Sequence, residues 1–242
     1  MAKLTTDCQK LTDINFHLCD VDKNIVENWK EYFNCDENFY FYQDDITSIY
    51  TNIINTNTNA ITGIISPANS FGDMQGGIDL VYYNFFGHQI EEDVQQSIIE
   101  EKHGELTVGD SLIVPIVPII PIGLTSPTES TESTNPTEST NPTNPSTYLV
   151  VAPTMRVPMA ITNTLNIYLA FRAALIKIIA HDKEFNHILV PGLGTGIGKI
   201  SGYQCAKQMY YAYTILLNPN RFNNLVDLTR QHIDMLEYEE KN

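Results

Sequence analysis

The chain has 242 residues and is 43% hydrophobic, which is enough apolar material to bury one core, so we expect a single domain over residues 1–242. Lys and Arg number 14 against 29 Asp and Glu, and the resulting net charge of −15 disfavours a nucleic-acid partner, since phosphate backbones select basic surfaces. The four cysteines form no CxxC pair and no signal peptide is recognised, so we expect a cytoplasmic or nuclear protein, not secreted, without a structural metal.

Strand and helix patterns alternate in the first half of the chain. Residues 14–19 and 38–42 are typical of strands, and a helix is expected between them over residues 24–33. Residues 61–68 form a short apolar run that leads into glycines, and residues 78–86 then repeat apolar side chains at helical spacing. This order of strand, loop and helix is typical of a layered α/β domain.

The centre of the chain combines an apolar stretch with a repetitive polar segment. Residues 112–124 contain three prolines and are about half as long as a bilayer-spanning helix, so we expect no membrane span. Residues 125–147 are nearly all Ser, Thr, Pro, Asn and Glu, which predicts a disordered low-complexity insert because little apolar surface offsets the entropy of ordering. The insert separates two extended segments, residues 111–122 and 148–153, that we expect to be neighbouring strands.

The second half of the chain repeats the alternation. Apolar spacing predicts a helix over residues 165–179, a strand over residues 187–190 and a further helix over residues 206–217. Strands and helices that alternate in both halves predict a three-layer α/β fold.

Two glycine-rich turns, residues 69–77 and 192–198, lie where a buried strand leads into a helix. Free backbone amides and the positive helix end converge on an anion there, and the absence of Cβ atoms allows close approach. Two common nucleotide motifs do not fit, because Leu193 stands where a Walker A loop needs its first glycine and Ile197 where the dinucleotide fingerprint needs its last. We therefore expect both turns to hold the phosphates of a nucleotide-like ligand, with ordinary tight turns as the alternative.

Four motifs follow one another along these strands and helices: QDDIT at 43–47, SPANSFG at 66–72, GGID at 76–79 and GTGIG at 194–198. In this order and spacing they resemble the macro domain family. The resemblance covers a core of about residues 39–218 apart from the insert, and leaves residues 1–38 as an N-terminal strand–helix extension. It implies a three-layer α/β/α sandwich with a mixed central sheet, and a cleft at the strand ends that binds ADP-ribose or a derivative without a cofactor or metal.

The resemblance also implies which residues contact the ligand. Asp45 would accept a hydrogen bond from the adenine amine beside a backbone contact from Ile46, with a helix cap as the alternative role of Asp45. Asn69 would bind the distal ribose hydroxyls, with a turn-forming role as the alternative. The other implied contacts are glycine-turn residues close to the diphosphate and distal ribose, namely Gly76, Gly77, Ile78, Gly194, Thr195, Gly196, Ile197 and Gly198.

The resemblance implies catalytic roles for two of these side chains without deciding whether catalysis occurs. Asp79 matches the acid proposed to activate water in hydrolytic macro domains, with Asn69 beside it, and the alternative for Asp79 is an acid favourably placed on a helix dipole. Hydrolysis would cut an ADP-ribosyl linkage or ADP-ribose 1''-phosphate. The alternatives are a non-catalytic reader of ADP-ribose and a structural protein with an unused cleft.

The chain departs from the family pattern at three positions. Asp44 stands in place of the usual glycine, and Tyr83 in place of a histidine that some hydrolytic members carry. Gly198 stands where an aromatic residue commonly packs near the ligand, and Tyr203 or Phe71 is a candidate to replace that ring.

Two basic residues lie close to the motifs in sequence. Arg156 follows the predicted strand over residues 148–153, and Lys199 follows the second glycine turn. Each would contact ligand phosphate or pair with a surface carboxylate, and for Arg156 we favour the ion pair in so acidic a chain. The sequence predicts no oligomeric state.

Overall fold

The computed structural model describes residues 9–116, 146–217 and 224–237. A six-stranded sheet forms its centre, with strands β1 (Asn15–Cys19), β2 (Phe39–Tyr42), β3 (Thr62–Ser66), β4 (Leu112–Ile116), β5 (Thr147–Val151) and β6 (His187–Val190). Their order across the sheet is β2-β1-β6-β3-β5-β4. All neighbouring pairs are parallel except β4 with β5, so the sheet is mixed.

Helices cover both faces of this sheet. They are α1 (Lys23–Tyr32), α2 (Ile46–Thr56), α3 (Gly77–Phe86), α4 (Gln89–Lys102), α5 (Asn166–Ala180), α6 (Gly202–Leu217) and α7 (Leu225–Leu236). Successive strand residues point to opposite faces, and Val150 accordingly packs with α1, α5 and α6, whereas Leu149 packs with α2, α3 and α4. This arrangement confirms the expected three-layer α/β/α fold with a mixed sheet.

The N-terminal strand and helix lie inside this core. β1 pairs with β2 on one side and β6 on the other, and the ring of Phe16 on β1 stacks on Phe39 at 4.9 Å between centroids. Asp22 caps α1 by accepting a hydrogen bond from the amide of Asn24, and Trp29 on the same helix is fully buried. The described part of the predicted extension over residues 1–38 therefore packs as one body with the remaining core.

The apolar stretch at residues 112–124 begins as the edge strand β4. Leu112, Val114 and Ile116 are buried, and Pro115 is exposed at the edge of the sheet, where a missing amide hydrogen is tolerated. β4 and β5 pair antiparallel, which confirms that the two extended segments are neighbouring strands. None of the helices in the described ranges has the length and apolar character needed to cross a membrane.

The predicted insert over residues 125–147 lies outside the described residues except at its end. Thr147 is buried and begins β5, where its hydroxyl lies 3.0 Å from the hydroxyl of Tyr50. Its prediction as part of the insert was wrong, because a polar β-branched side chain is accommodated in the sheet once its hydroxyl has a buried partner.

Candidate functional site

A cleft of about 580 Å³ lies at the carboxyl ends of the parallel strands. This edge of an open α/β sheet is the usual place for a ligand, and the volume is that of a small-molecule site. The lining residues include segments that follow β1, β2, β3, β5 and β6. Of the residues predicted from sequence, those in the lining are Asp45, Ile46, Asn69, Gly76, Gly77, Ile78, Asp79, Gly194, Thr195, Ile197 and Gly198. Gly196 lies in the same loop but is not among the lining residues.

Asn69 organises the loop that follows β3. Its side-chain amide donates to the carbonyl of Asp73 at 2.8 Å, and its carbonyl oxygen accepts from the backbone amide of Phe71 at 3.0 Å. The side chain is 8% exposed at the wall of the cleft. The turn-forming role is therefore present in the structure, and the contact with a ribose hydroxyl remains a prediction.

The amino end of α3 opens onto the cleft without a side-chain cap. Gly76 occupies the N-cap position and makes no side-chain hydrogen bond, and Gly77 has a left-handed backbone with φ of +59°. The next amides, of Gly77, Ile78 and Asp79, are the first of the helix, so the helix itself offers them no carbonyl partner. Free amides at the positive end of a helix are groups that favour an anion, as the sequence predicts for this turn.

Asp79 lies in the first turn of α3 and is almost completely enclosed, with 7% of its surface exposed. The hydroxyl of Ser66, the last residue of β3, donates to Asp79 Oδ1 at 2.6 Å. Burial raises the pKa of Asp79 to about 7, the hydrogen bond from Ser66 opposes that rise, and the charge of Asp73 adds to it. A carboxyl group with this pKa exchanges a proton near neutral pH, as a general acid or base requires.

The second glycine turn follows a path that Gly198 makes possible. A Cβ at Gly198 would overlap the carbonyl oxygen of Gly194 and lie 2.9 Å from the side chain of Ile161. Gly194 has a positive φ of +67°, and the amide of Ile161 donates to the carbonyl of Gly198 at 2.8 Å. An aromatic side chain at position 198 is therefore incompatible with the path of this loop.

The two glycine turns approach each other across the cleft. The Cδ1 atom of Ile197 lies 3.1 Å from the position that a Cβ at Gly76 would occupy. Neither ring proposed to replace the missing aromatic lines the cleft: Phe71 packs 5.1 Å below the guanidinium of Arg156, and Tyr203 packs against Tyr32 at 5.8 Å between ring centroids. Neither candidate is therefore placed to replace the missing ring, because both rings contact other side chains outside the cleft lining.

Three aspartates of the lining follow β1 and β2, namely Asp20, Asp44 and Asp45. Asp45 caps α2, and its Oδ1 atom accepts hydrogen bonds from the amide of Thr47 at 2.7 Å and from the Thr47 hydroxyl, which lower the pKa of Asp45. The backbone amide of Ser48 also stabilises the charged form of Asp45. The cap role left open by the sequence is therefore observed.

Asp20 is a cleft residue that sequence reasoning missed. It follows β1 directly, and its Oδ1 atom accepts from the amide of Asp22 at 2.8 Å. Its other oxygen lies close beneath Gly192, and burial raises the pKa of Asp20. An acid placed directly after a buried parallel strand was the signal that would have found it. The exposed side chain of Val21 lies beside it in the lining.

The charges that line the cleft are all negative. Among the residues that the structure describes, the lining contains five aspartates, at positions 20, 44, 45, 73 and 79, and no Lys, Arg or His. Arg156 binds Glu105 through two hydrogen bonds of 2.8 and 3.1 Å, which confirms the favoured ion pair, and Lys199 is not in the lining. Within the described ranges, no group of three or more His, Cys, Asp and Glu side chains is arranged to hold a metal ion.

No protein-family model matches the chain, and no curated protein matches it. Solved structures that are similar to it include two macrodomains. The macrodomain of Mycobacterium tuberculosis DarG has 17% sequence identity, covering 65% of this chain and 84% of its own, with a TM-score of 0.45. A mutant macrodomain of Oceanobacillus iheyensis, solved with ADPR, has 13% identity, covering 71% of this chain and 86% of its own, also with a TM-score of 0.45. Both are macrodomains, the family that the sequence motifs resemble.

Proposed function

We propose that this chain binds ADP-ribose, free or attached to another molecule, in the cleft at the carboxyl edge of the sheet. The observation that carries the proposal is the meeting of two glycine turns over one cleft: the uncapped start of α3 on one side and the loop after β6 on the other, with Ile197 against Gly76. A diphosphate between them would accept hydrogen bonds from backbone amides.

The two ends of the cleft fit the two ends of this ligand. Asp45 and Asp20 provide carboxylate acceptors, which match the donor character of an adenine amine. At the other end, Asn69 and Asp79 lie on the segment that joins β3 to α3, which we assign to the distal ribose.

We further propose that the bound ADP-ribosyl group is hydrolysed. Water would attack the linkage between the distal ribose and its carrier while Asp79 takes a proton from it, the linkage would break, and the proton would pass to the released carrier group; this role suits a buried carboxyl group whose pKa is about 7. Ser66 would hold that carboxyl group in place through its 2.6 Å hydrogen bond, and Asn69 would orient the ribose.

A reader that binds without hydrolysis is the second candidate, and one observation favours it. Tyr83, which replaces the histidine of some hydrolytic family members, stacks on the ring of His88 at 4.4 Å and is not in the cleft lining. The cleft therefore has no imidazole to assist Asp79.

Calorimetric titration with ADP-ribose, followed by hydrolysis assays on ADP-ribosylated substrates, tests these alternatives. We expect the wild-type chain to bind ADP-ribose, and Asp79→Ala to lose turnover while its affinity changes by no more than about threefold, or about 0.7 kcal/mol. Binding without turnover by the wild type on any of these substrates would establish the reader. Absence of binding at millimolar ADP-ribose would overturn both and favour a structural protein with an unused cleft.

A further inference from the structure

We propose that the cleft discriminates against ADP-ribose 1''-phosphate and accepts ADP-ribosyl groups whose distal ribose carries an uncharged or cationic substituent. This inference rests on the proposed function and decides between the two substrate classes that the function leaves open. It follows from the distribution of charge around the segment that joins β3 to α3.

Among the described residues, the cleft would hold phosphate through backbone amides and neutral side chains, without a cation. Its lining contains five aspartates and no basic side chain. The guanidinium nearest in sequence, that of Arg156, is engaged by Glu105 and stacked over Phe71. A phosphate group that lies beyond reach of the amide-rich turns would therefore meet carboxylates and no compensating cation.

Two of the carboxylates lie at the end assigned to the distal ribose. Asp79 is enclosed behind that segment, and Asp73 is close enough for its charge to act on Asp79. The Oδ1 atom of Asp73 accepts from the amide of Gln75 at 2.9 Å, which fixes this carboxylate at the cleft wall. Asn69 donates a hydrogen bond to the backbone carbonyl of Asp73, so the Asp73 carboxylate and the Asn69 side chain lie in the same turn.

A phosphomonoester on the distal ribose would add nearly two negative charges at this end. The amides at the start of α3 and in the glycine loop after β6 would already be used by the diphosphate. An ester or glycosidic substituent without charge adds no such repulsion, and a cationic carrier group would be attracted. The substrate class that fits the cleft is therefore ADP-ribose joined to a neutral or basic group.

Competitive titration of the wild-type chain with ADP-ribose and with ADP-ribose 1''-phosphate tests the inference. We expect the phosphorylated ligand to bind at least about tenfold more weakly, and the difference to shrink at high salt because screening weakens charge repulsion. In Asp73→Asn we expect the ratio of the two affinities to fall by about threefold or more, since the repelling charge is removed.

Asp182→Asn is the matched control, because it removes the same charge from an exposed position before β6, at the opposite edge of the sheet. We expect it to leave the ratio unchanged. Equal or tighter binding of the phosphorylated ligand, or a ratio unaffected by Asp73→Asn, would overturn the inference and leave ADP-ribose binding intact. If neither ligand binds, the proposed function falls and the inference falls with it.

Discussion

Asp79 couples the protonation of the cleft to the stability of the fold. Its pKa rises from 3.8 to about 7 because burial disfavours the charged form. Between these two pH values the folded chain binds a proton that the unfolded chain has released. The contribution of the Asp79 carboxyl group to the stability of the fold is therefore fully present below pH 3.8 and is lost as the pH rises through about 7.

Asp79→Asn should remove this dependence, since the amide has nearly the same shape and no charge. We expect the unfolding free energy of the variant to rise relative to that of wild type by up to about 3 kcal/mol as the pH increases from about 5 to about 8. Burial lowers the pKa of His17 from 6.5 to about 4, and between these two pH values its contribution to stability rises with pH, which is the opposite trend. His17 is present in both proteins, so its effect cancels in the difference. Denaturant unfolding at both pH values is the measurement, and parallel pH profiles would contradict the pKa assigned to Asp79.

At the scale of elements, contacts among the glycines of the loop after β6, and between these glycines and Ile161, determine the shape of that loop. The carbonyl of Gly194 accepts from the amide of Ile200 at 3.1 Å and lies against Gly198. Gly196, by contrast, has open space where a Cβ would be. The two glycines therefore differ in what a methyl group would do to the loop.

Gly198→Ala should distort this loop, whereas Gly196→Ala should not. For Gly198→Ala we expect a loss of about 1 to 3 kcal/mol of stability, because the overlap involves backbone that has to move, together with weaker ADP-ribose binding. Gly196→Ala is the matched control and should stay within about 0.5 kcal/mol of wild type. Urea unfolding and ADP-ribose titration of the two variants test this pair, and similar losses in both would show that conformational freedom, not close approach, is what the loop requires.

Local patterns predicted elements that bury a continuous apolar face. The strand expected over residues 187–190 has the observed bounds of β6, since all three of its last residues are apolar and buried. α2, α4 and α7 were not predicted from sequence. In α4 the buried side chains are only Ile90, Val94 and Ile98, and the many polar residues between them weaken the apolar pattern.

The positions in the cleft were predictable from motifs, but their environments were not. Ser66 and Asp79 are thirteen residues apart, and their hydrogen bond exists only because β3 and α3 meet at the cleft. The overlap that excludes a side chain at Gly198 depends on Ile161, which arrives from a different part of the chain. Such features depend on tertiary contacts, which cannot be predicted from the spacing of residues along the sequence.

At the scale of the whole molecule, α7 is attached to the core mainly by polar contacts. Of its residues only Met235 is buried, and Leu225, Val226 and Ile233 are exposed. The buried ammonium of Lys207 on α6 lies 2.9 Å from Asp234 Oδ1.

Lys207→Met should loosen α7 without unfolding the sheet. It leaves Asp234 with the hydroxyl of Tyr211, at 2.6 Å, but without its cation. We expect faster amide hydrogen exchange over residues 225–236, corresponding to about 1 kcal/mol because Asp234 is partly exposed, and unchanged exchange in β3 and β5. Lys23→Met, which breaks the exposed pair of Lys23 with Glu27, is the control and should leave exchange in α7 as in wild type. Unchanged exchange in Lys207→Met would show that the packing of Met235 and the hydrogen bonds from Gln204, Gln208 and Tyr211 hold the helix without the ion pair.

The direct pairing of Ile116 with Thr147 fixes the points at which the chain leaves β4 and enters β5. Antiparallel partners are held about 5 Å apart, a gap that a turn of about two residues already bridges. Each doubling of the connecting length costs only about 0.6 kcal/mol in closure entropy. Thr147 begins its strand at the edge opposite to the cleft. A change in the length of the connection between these two strands is therefore expected to cost the fold little stability.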